Sequence, residues 1–152
     1  MAQHVNAPLV ILGTYNVNNI ATPISYGYTV SSTGYTDTYN NTIVQMGGIV
    51  GSLDSQIIGI SSGTNSLGET IISVSGSGQV WCDSAVSCGQ YLTTSINIIG
   101  VASGSISNMK SNYIFAKSLV IWDPNNIALY PNIQTKIINN TLCGLINCII
   151  NI

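Results

Sequence analysis

The chain has 152 residues, of which 45% are hydrophobic and only 5% charged: three lysines, no arginine, five carboxylates and a single histidine. An ordinary soluble domain carries about 25% charged residues, so the cations that neutralise nucleic-acid phosphates are nearly missing and few titratable groups are left to build a catalytic cleft. No direct nucleic-acid partner, no enzyme activity and no cofactor are therefore expected, and the high hydrophobicity excludes a disordered chain. What fills the sequence is 24 Ile, with 49 Ser, Asn and Thr. β-Branched side chains favour pleated strands, whereas the strong surface helix formers are scarce, so an all-β fold in one domain over residues 1–152 is expected.

In chain order, residues 9–17 form the first expected strand, ended by Asn18-Asn19. Ile24, Tyr26, Tyr28 and Val30 alternate with Ser25, Gly27 and Thr29, the period of a half-buried strand, and Ser31-Ser32-Thr33-Gly34 reads as the turn after it. Strands over 42–51 and 56–61 follow, with Gly47-Gly48 marking a bulge or a close backbone approach, and then a turn region from Ser61 to Gly68. Ile72, Val74, Gly76, Gly78 and Val80 alternate with Ser73, Ser75, Ser77 and Gln79. Residues 91–102 repeat that pattern up to a Ser103-Gly104 turn. From Tyr113 to Trp122 the chain is apolar on both faces apart from Lys117 and Ser118, as in a strand covered on two sides, and Asp123-Pro124-Asn125-Asn126 ends it. With residues 133–139, eight or nine strands at this spacing predict an antiparallel β-sandwich or barrel.

The apolar segment 142–152 is ambiguous. Leu142, Leu145, Ile146, Ile149 and Ile150 have helical spacing behind Thr141, a fair N-cap. The four cysteines, however, form two close pairs, Cys82/Cys88 and Cys143/Cys148, which in an oxidising setting suggest local disulfides. Free buried thiols and a metal site are the alternatives, although the spacing fits zinc knuckles poorly. A Cys143–Cys148 bridge is incompatible with a helix, whose rise separates i and i+5 by about 7.5 Å, so a loop closed by that bridge is the preferred reading. As a whole, the segment is a final core strand, an insertion into a neighbouring subunit, or a contact with a lipid layer.

The start Met1-Ala2-Gln3-His4-Val5-Asn6 has no Lys or Arg, so no signal peptide is expected. Asn40-Asn41-Thr42 and Asn139-Asn140-Thr141 are candidate glycosylation sequons at Asn40 and Asn139. His4 has no nucleophile near it in sequence, and Asp37, Asp54, Glu69, Asp83 and Asp123 each lie in or beside a turn signal, where carboxylates cap and solvate. Tyr26, Tyr28, Tyr35 and Tyr39 form an aromatic-rich stretch that either packs in the core or anchors an interface. With Leu142, Ile146, Ile149 and Ile150 they are the candidate interface residues. So few carboxylates leave little for acid to protonate, which points to an acidic environment or to one where hydroxyls and amides take the place of charges.

In strand count, composition and paired cysteines the whole chain resembles the small single jelly-roll capsid proteins of icosahedral viruses of acidophilic, hyperthermophilic archaea. The resemblance implies an eight-stranded, two-sheet jelly roll located in the virion. Copies would assemble as pentamers or pseudo-hexamers into a shell, with other virion proteins or an internal lipid layer between it and the nucleic acid. The chain departs from genome-binding capsid proteins in having no basic N-terminal arm. The alternatives are an extracellular filament or pilus subunit joined by strand complementation, and a carbohydrate-binding module or adhesin that takes glycans on the tyrosine patch.

Overall fold

The computed structural model describes residues 8–11, 14–15, 21–36, 38, 40, 42–66, 69–106 and 108–151. They fold as an all-β structure of two sheets with two single-turn 3-10 helices. The first seven strands make one sheet: β1 (Pro8–Ile11), β2 (Thr14–Tyr15), β3 (Ala21–Thr22), β4 (Thr29–Thr36), β5 (Thr42–Met46), β6 (Ile57–Thr64) and β7 (Thr70–Ser73). Their spatial order is β1-β7-β6-β4-β5-β2-β3. The last six make the other: β8 (Ser75–Cys82), β9 (Tyr91–Thr94), β10 (Ala102–Gly104), β11 (Ala116–Ser118), β12 (Thr135–Ile138) and β13 (Thr141–Asn151), in the order β11-β9-β10-β8-β13-β12.

The second sheet curls on itself. Because β11 also pairs β13, the pairings β8–β13–β11–β9–β10–β8 close a ring of five strands, sealed where Ala102 lies opposite Cys82. Register then puts Val80, Cys82, Leu92, Ala102, Ala116, Ile146, Cys148 and Ile150 on the inside, where they form the main core with Phe115 and Trp122. Ile57 and Ile60 of β6 join the same core, and this packs the two sheets together. A smaller cluster, Ile24, Val30, Val44 and Ile72, sits on the first sheet.

Among the described residues thirteen strands stand where eight or nine were expected, and two pairings, β2 with β5 and β8 with β10, are parallel. The extra count has local causes. Val74 alone separates β7 from β8, so the single alternating run 72–80 serves both sheets. The expected Ser31–Gly34 turn lies inside β4, where a register shift between Ser32 and Thr36 accommodates Gly34 at φ +81°. A similar shift carries β6 through Gly63 and on to Thr64. Residues 95–100 break the expected strand 91–102 into β9 and β10.

The C-terminal segment is neither helix nor disulfide-closed loop. β12 and β13 form a hairpin whose two turn residues, Asn139 and Asn140, both have positive φ (50° and 64°). That is the two-residue geometry whose twist matches the strands it joins. β13 then runs eleven residues through the centre of its sheet, paired with β8, β11 and β12.

At one place the backbone stitches the sheets together. Gly27 donates its N–H to Ser61 O (2.9 Å), Ser61 donates to Tyr28 O (2.8 Å), and Trp81 donates to Gly27 O (3.0 Å). Segment 26–28 thereby bridges β6 and β8. Only glycine fits at its centre, because φ is +86° and a Cβ would lie 2.9 Å from Leu145 Cδ1.

Candidate functional site

The cysteines correct the disulfide expectation, since all four are free. Cys143 and Cys148 are five residues apart in an extended strand, about 16 Å at the usual rise, well beyond the span of a disulfide. Their opposite parity also puts them on opposite faces, Cys148 inside the ring and Cys143 beside Trp81, Val101 and Leu145. Cys82 is buried with its thiol on Ser84 O (3.4 Å), whereas Cys88 is exposed on a turn with its thiol towards Leu119 O (3.5 Å). Burial pushes the Cys82 thiol up to about 11, against the opposing effect of its hydrogen bonding with Ser84. Burial likewise raises Cys143, helped by the charge of Asp83, and Cys148, each to about 12. Thiols held protonated in this way are poor nucleophiles.

The described carboxylates are each engaged in a turn. Asp54 is buried; its Oδ2 accepts from Ser31 Oγ (2.5 Å) and the Gly48 N–H (2.9 Å), and its Oδ1 accepts from the Gln56 N–H (2.8 Å). Sequence reasoning assigned it to a solvated turn and missed that it anchors the 47–52 turn to β4. Asp83 accepts from Ser95 Oγ through Oδ2, and its Oδ1 is buried without a hydrogen-bond partner. Glu69 accepts from Asn65 Nδ2 (2.8 Å). Exposed Asp123 accepts from the Asn125 N–H and from Asn126 Nδ2, which hold its carboxyl below the usual range. His4, Asp37 and Tyr39 lie outside the described residues.

The candidate interface residues separate into different roles. Ile146 and Ile150 are corrected to core positions, because their even-numbered places on β13 point into the ring. Leu142 is half-buried, and Ile149, on the outer face, is exposed. Tyr28 packs against both the cluster of Ile24, Val30, Val44 and Ile72 and a third one of Trp81, Ile98, Val101, Cys143 and Leu145, with the Lys136 ammonium 4.9 Å from its ring and 4.6 Å from that of Trp81. Tyr26 is half-exposed and donates its hydroxyl to Gln79 Oε1 (2.8 Å). Tyr35, 74% exposed at the end of β4, is the most open of the three described. Asn40 and Asn139, the candidate glycosylation residues, are both exposed in turns with positive φ.

Sequence reasoning missed an exposed apolar tip. The turns at 47–52 and 95–100 interlock: Gly100 donates to Gly47 O (2.6 Å) and Gly51 donates to Ile96 O (2.7 Å). The interlock holds out Ile49, Val50, Ile96 and Ile99, with Val50 67% exposed. Asp54 beneath the tip braces it and is itself buried, so its charge does not interrupt the four aliphatic side chains. The Gly47-Gly48 signal had its cause here, since a Cβ on Gly47 would meet Thr29 Oγ1 at 2.8 Å. A second run of exposed aliphatic residues, Leu119, Ile121, Ile127 and Leu129, lies between β11 and β12. No protein-family model, curated protein or solved structure matches the chain.

Proposed function

We propose that this chain is a structural virion protein, copies of which assemble into the outer protein shell of an archaeal virus. The observation that carries the reading is the apolar tip of Ile49, Val50, Ile96 and Ile99, held on two interlocked turns of a molecule with 5% charged residues. Contiguous exposed apolar patches mark places that something covers, and low charge removes the repulsion that keeps copies apart. The run from Leu119 to Leu129 supplies a second contact, so one subunit can meet more than one neighbour, as a closed ring of pentamers or pseudo-hexamers demands. The jelly-roll form of the proposal extends only to the two-sheet subunit, since two of the pairings here run parallel.

An edge supports a second reading, a filament subunit. β12 pairs only with β13 among the described residues, and Ile137 on it is exposed, so a strand of a neighbouring subunit can add there. The test is light scattering of purified protein at acid and neutral pH, joined to electron microscopy of the native particle. Closed shells are expected; open helical polymers favour the filament, and protein that stays monomeric at millimolar concentration overturns both.

A further inference from the structure

Beside the 26–28 stitch lies a crevice of about 230 Å³ between β6 and β8, lined by Tyr26, Ile60, Ser61, Ser62, Ser73, Ser77, Gly78 and Gln79. It exists because the chain passes from one sheet to the other at Val74, so that Ser73 ends one wall and Ser77 stands on the opposite one. No lining residue is charged, and five carry hydroxyls. The polar groups are partly committed and partly free. Ser61 Oγ donates to Ile24 O (2.7 Å) and accepts from the Gly63 N–H (3.1 Å), and the Ser62 and Ser73 hydroxyls bond each other. Tyr26 donates to Gln79 Oε1, and Gln79 Nε2 in turn donates to Asn147 Oδ1 (2.9 Å). Each serine hydroxyl is one donor and two acceptors, and an amide nitrogen has two hydrogens. The Ser62–Ser73 pair therefore keeps a donor and three acceptors, and Gln79 keeps an N–H.

We infer that this crevice binds one neutral sugar residue. The chemistry selects among ligands by elimination. An ion would be desolvated without a countercharge, and an apolar group would leave the hydroxyls and the amide unpaired. A pyranose brings hydroxyls that both donate and accept, which suits a mixed set of this kind. It also has an apolar C–H face, for which the half-exposed Tyr26 ring is the apolar partner. The volume is that of about eight waters at their liquid density, room for one ring and its substituents. The inference goes beyond the shell reading and does not rest on it.

The test is saturation-transfer NMR, which tolerates an assembled protein, with the methyl glycosides of glucose, galactose, mannose and N-acetylglucosamine. Glycerol and glucuronate serve as comparisons, and amide shifts locate the site. At least one neutral glycoside is expected to bind saturably in the millimolar range, shifting amides of 26–28, 60–62, 73 and 77–79. Tyr26→Ala and Ser77→Leu should each weaken it about three- to tenfold, the loss of one contact, with an unchanged circular dichroism spectrum. Ser77 is exposed, so its variant remains informative even where Tyr26→Ala fails to fold. No saturable signal from any glycoside, glycerol or glucuronate binding as well as the sugars, or shifts confined to other residues would each overturn the inference.

Discussion

Gly144→Ala should be among the most damaging single-methyl additions in the molecule. Gly144 sits in β13 opposite Cys82 and faces the ring interior, where a Cβ would lie 2.5 Å from Trp122 Cε2 and 2.8 Å from both Cδ2 and Cζ2. Ordinary carbon contacts are about 3.5–4.0 Å, so the indole has to retreat by about an ångström. It has nowhere to go: Trp122 is 1% exposed, and its backbone exchanges hydrogen bonds with Val86 in both directions (2.9 and 3.1 Å). Overpacking of this kind costs about 1–3 kcal/mol; the stiffer unfolded chain of an alanine returns about 0.4–1 kcal/mol only where the folded backbone accepts it without strain. At about 2–4 °C per kcal/mol for a chain of this size, the melting temperature should fall by about 2–12 °C. The internal control is Gly78→Ala in the same ring, where the new Cβ meets only the flexible end of Ile150 at 3.2 Å. Calorimetry of both variants at one protein concentration, with tryptophan fluorescence as a second probe, checks the reasoning. A Gly144→Ala protein that melts with the wild type, or no lower than Gly78→Ala, refutes it.

Asp54→Asn should cost about 1.5–3 kcal/mol, because it replaces one of two carboxylate oxygens that accept hydrogen bonds inside the protein; urea unfolding measures it, and an unchanged midpoint would show that the anchor is dispensable. Asn140→Gly should raise stability, since glycine takes φ +64° without a steric penalty, and a lower melting temperature would argue against the two-residue hairpin turn. Stability should also fall in alkali. The raised thiols of Cys82, Cys143 and Cys148 stay protonated in the folded chain after the unfolded chain has lost its protons, so their contribution is complete below about pH 8.5. It is lost as pH rises towards their folded values of about 11 to 12, by up to about 1.4 kcal/mol per pH unit for each thiol. Urea midpoints at pH 8 and pH 10 read the effect; it should shrink in a Cys82→Ala, Cys148→Ala variant, and equal midpoints in the wild type would disprove it.

Periodicity revealed the faces of this fold but not its pairings. The run from Ile72 to Val80 alternates without a break, yet it crosses from one sheet to the other at Val74, because alternation is a local property and pairing is not. β13 misled for a different reason. A strand with core on both sides over much of its length loses its period-two signal, and the apolar residues that remained at 142, 145, 146, 149 and 150 fell by coincidence on helical spacing. The Asn139-Asn140 turn that decides the matter is a weaker hairpin signal than Asn-Gly. Cys143 and Cys148 were close in sequence but not in space, since an odd separation along one strand sends the two side chains to opposite faces.

The site was legible only in part, and the reason lies in how few charges the chain spends on its surface. Asp54 is buried, Asp83 keeps one oxygen buried, and Lys136 and Lys117 lie over aromatic rings, the latter 5.5 Å from that of Tyr91. A partner therefore meets even less charge than the 5% in the sequence suggests. What it meets instead are aliphatic side chains on interlocked turns and neutral hydroxyls in a crevice, and both depend on contacts between segments about 30 to 50 residues apart. The turns that carry Ile49 and Ile96 are joined through Gly51 and Gly100, and Tyr26 reaches Gln79 where Gly27 ties β6 to β8. Recognition by such a molecule has to work through shape, apolar contact and neutral hydrogen bonds, so its interactions should be nearly insensitive to salt.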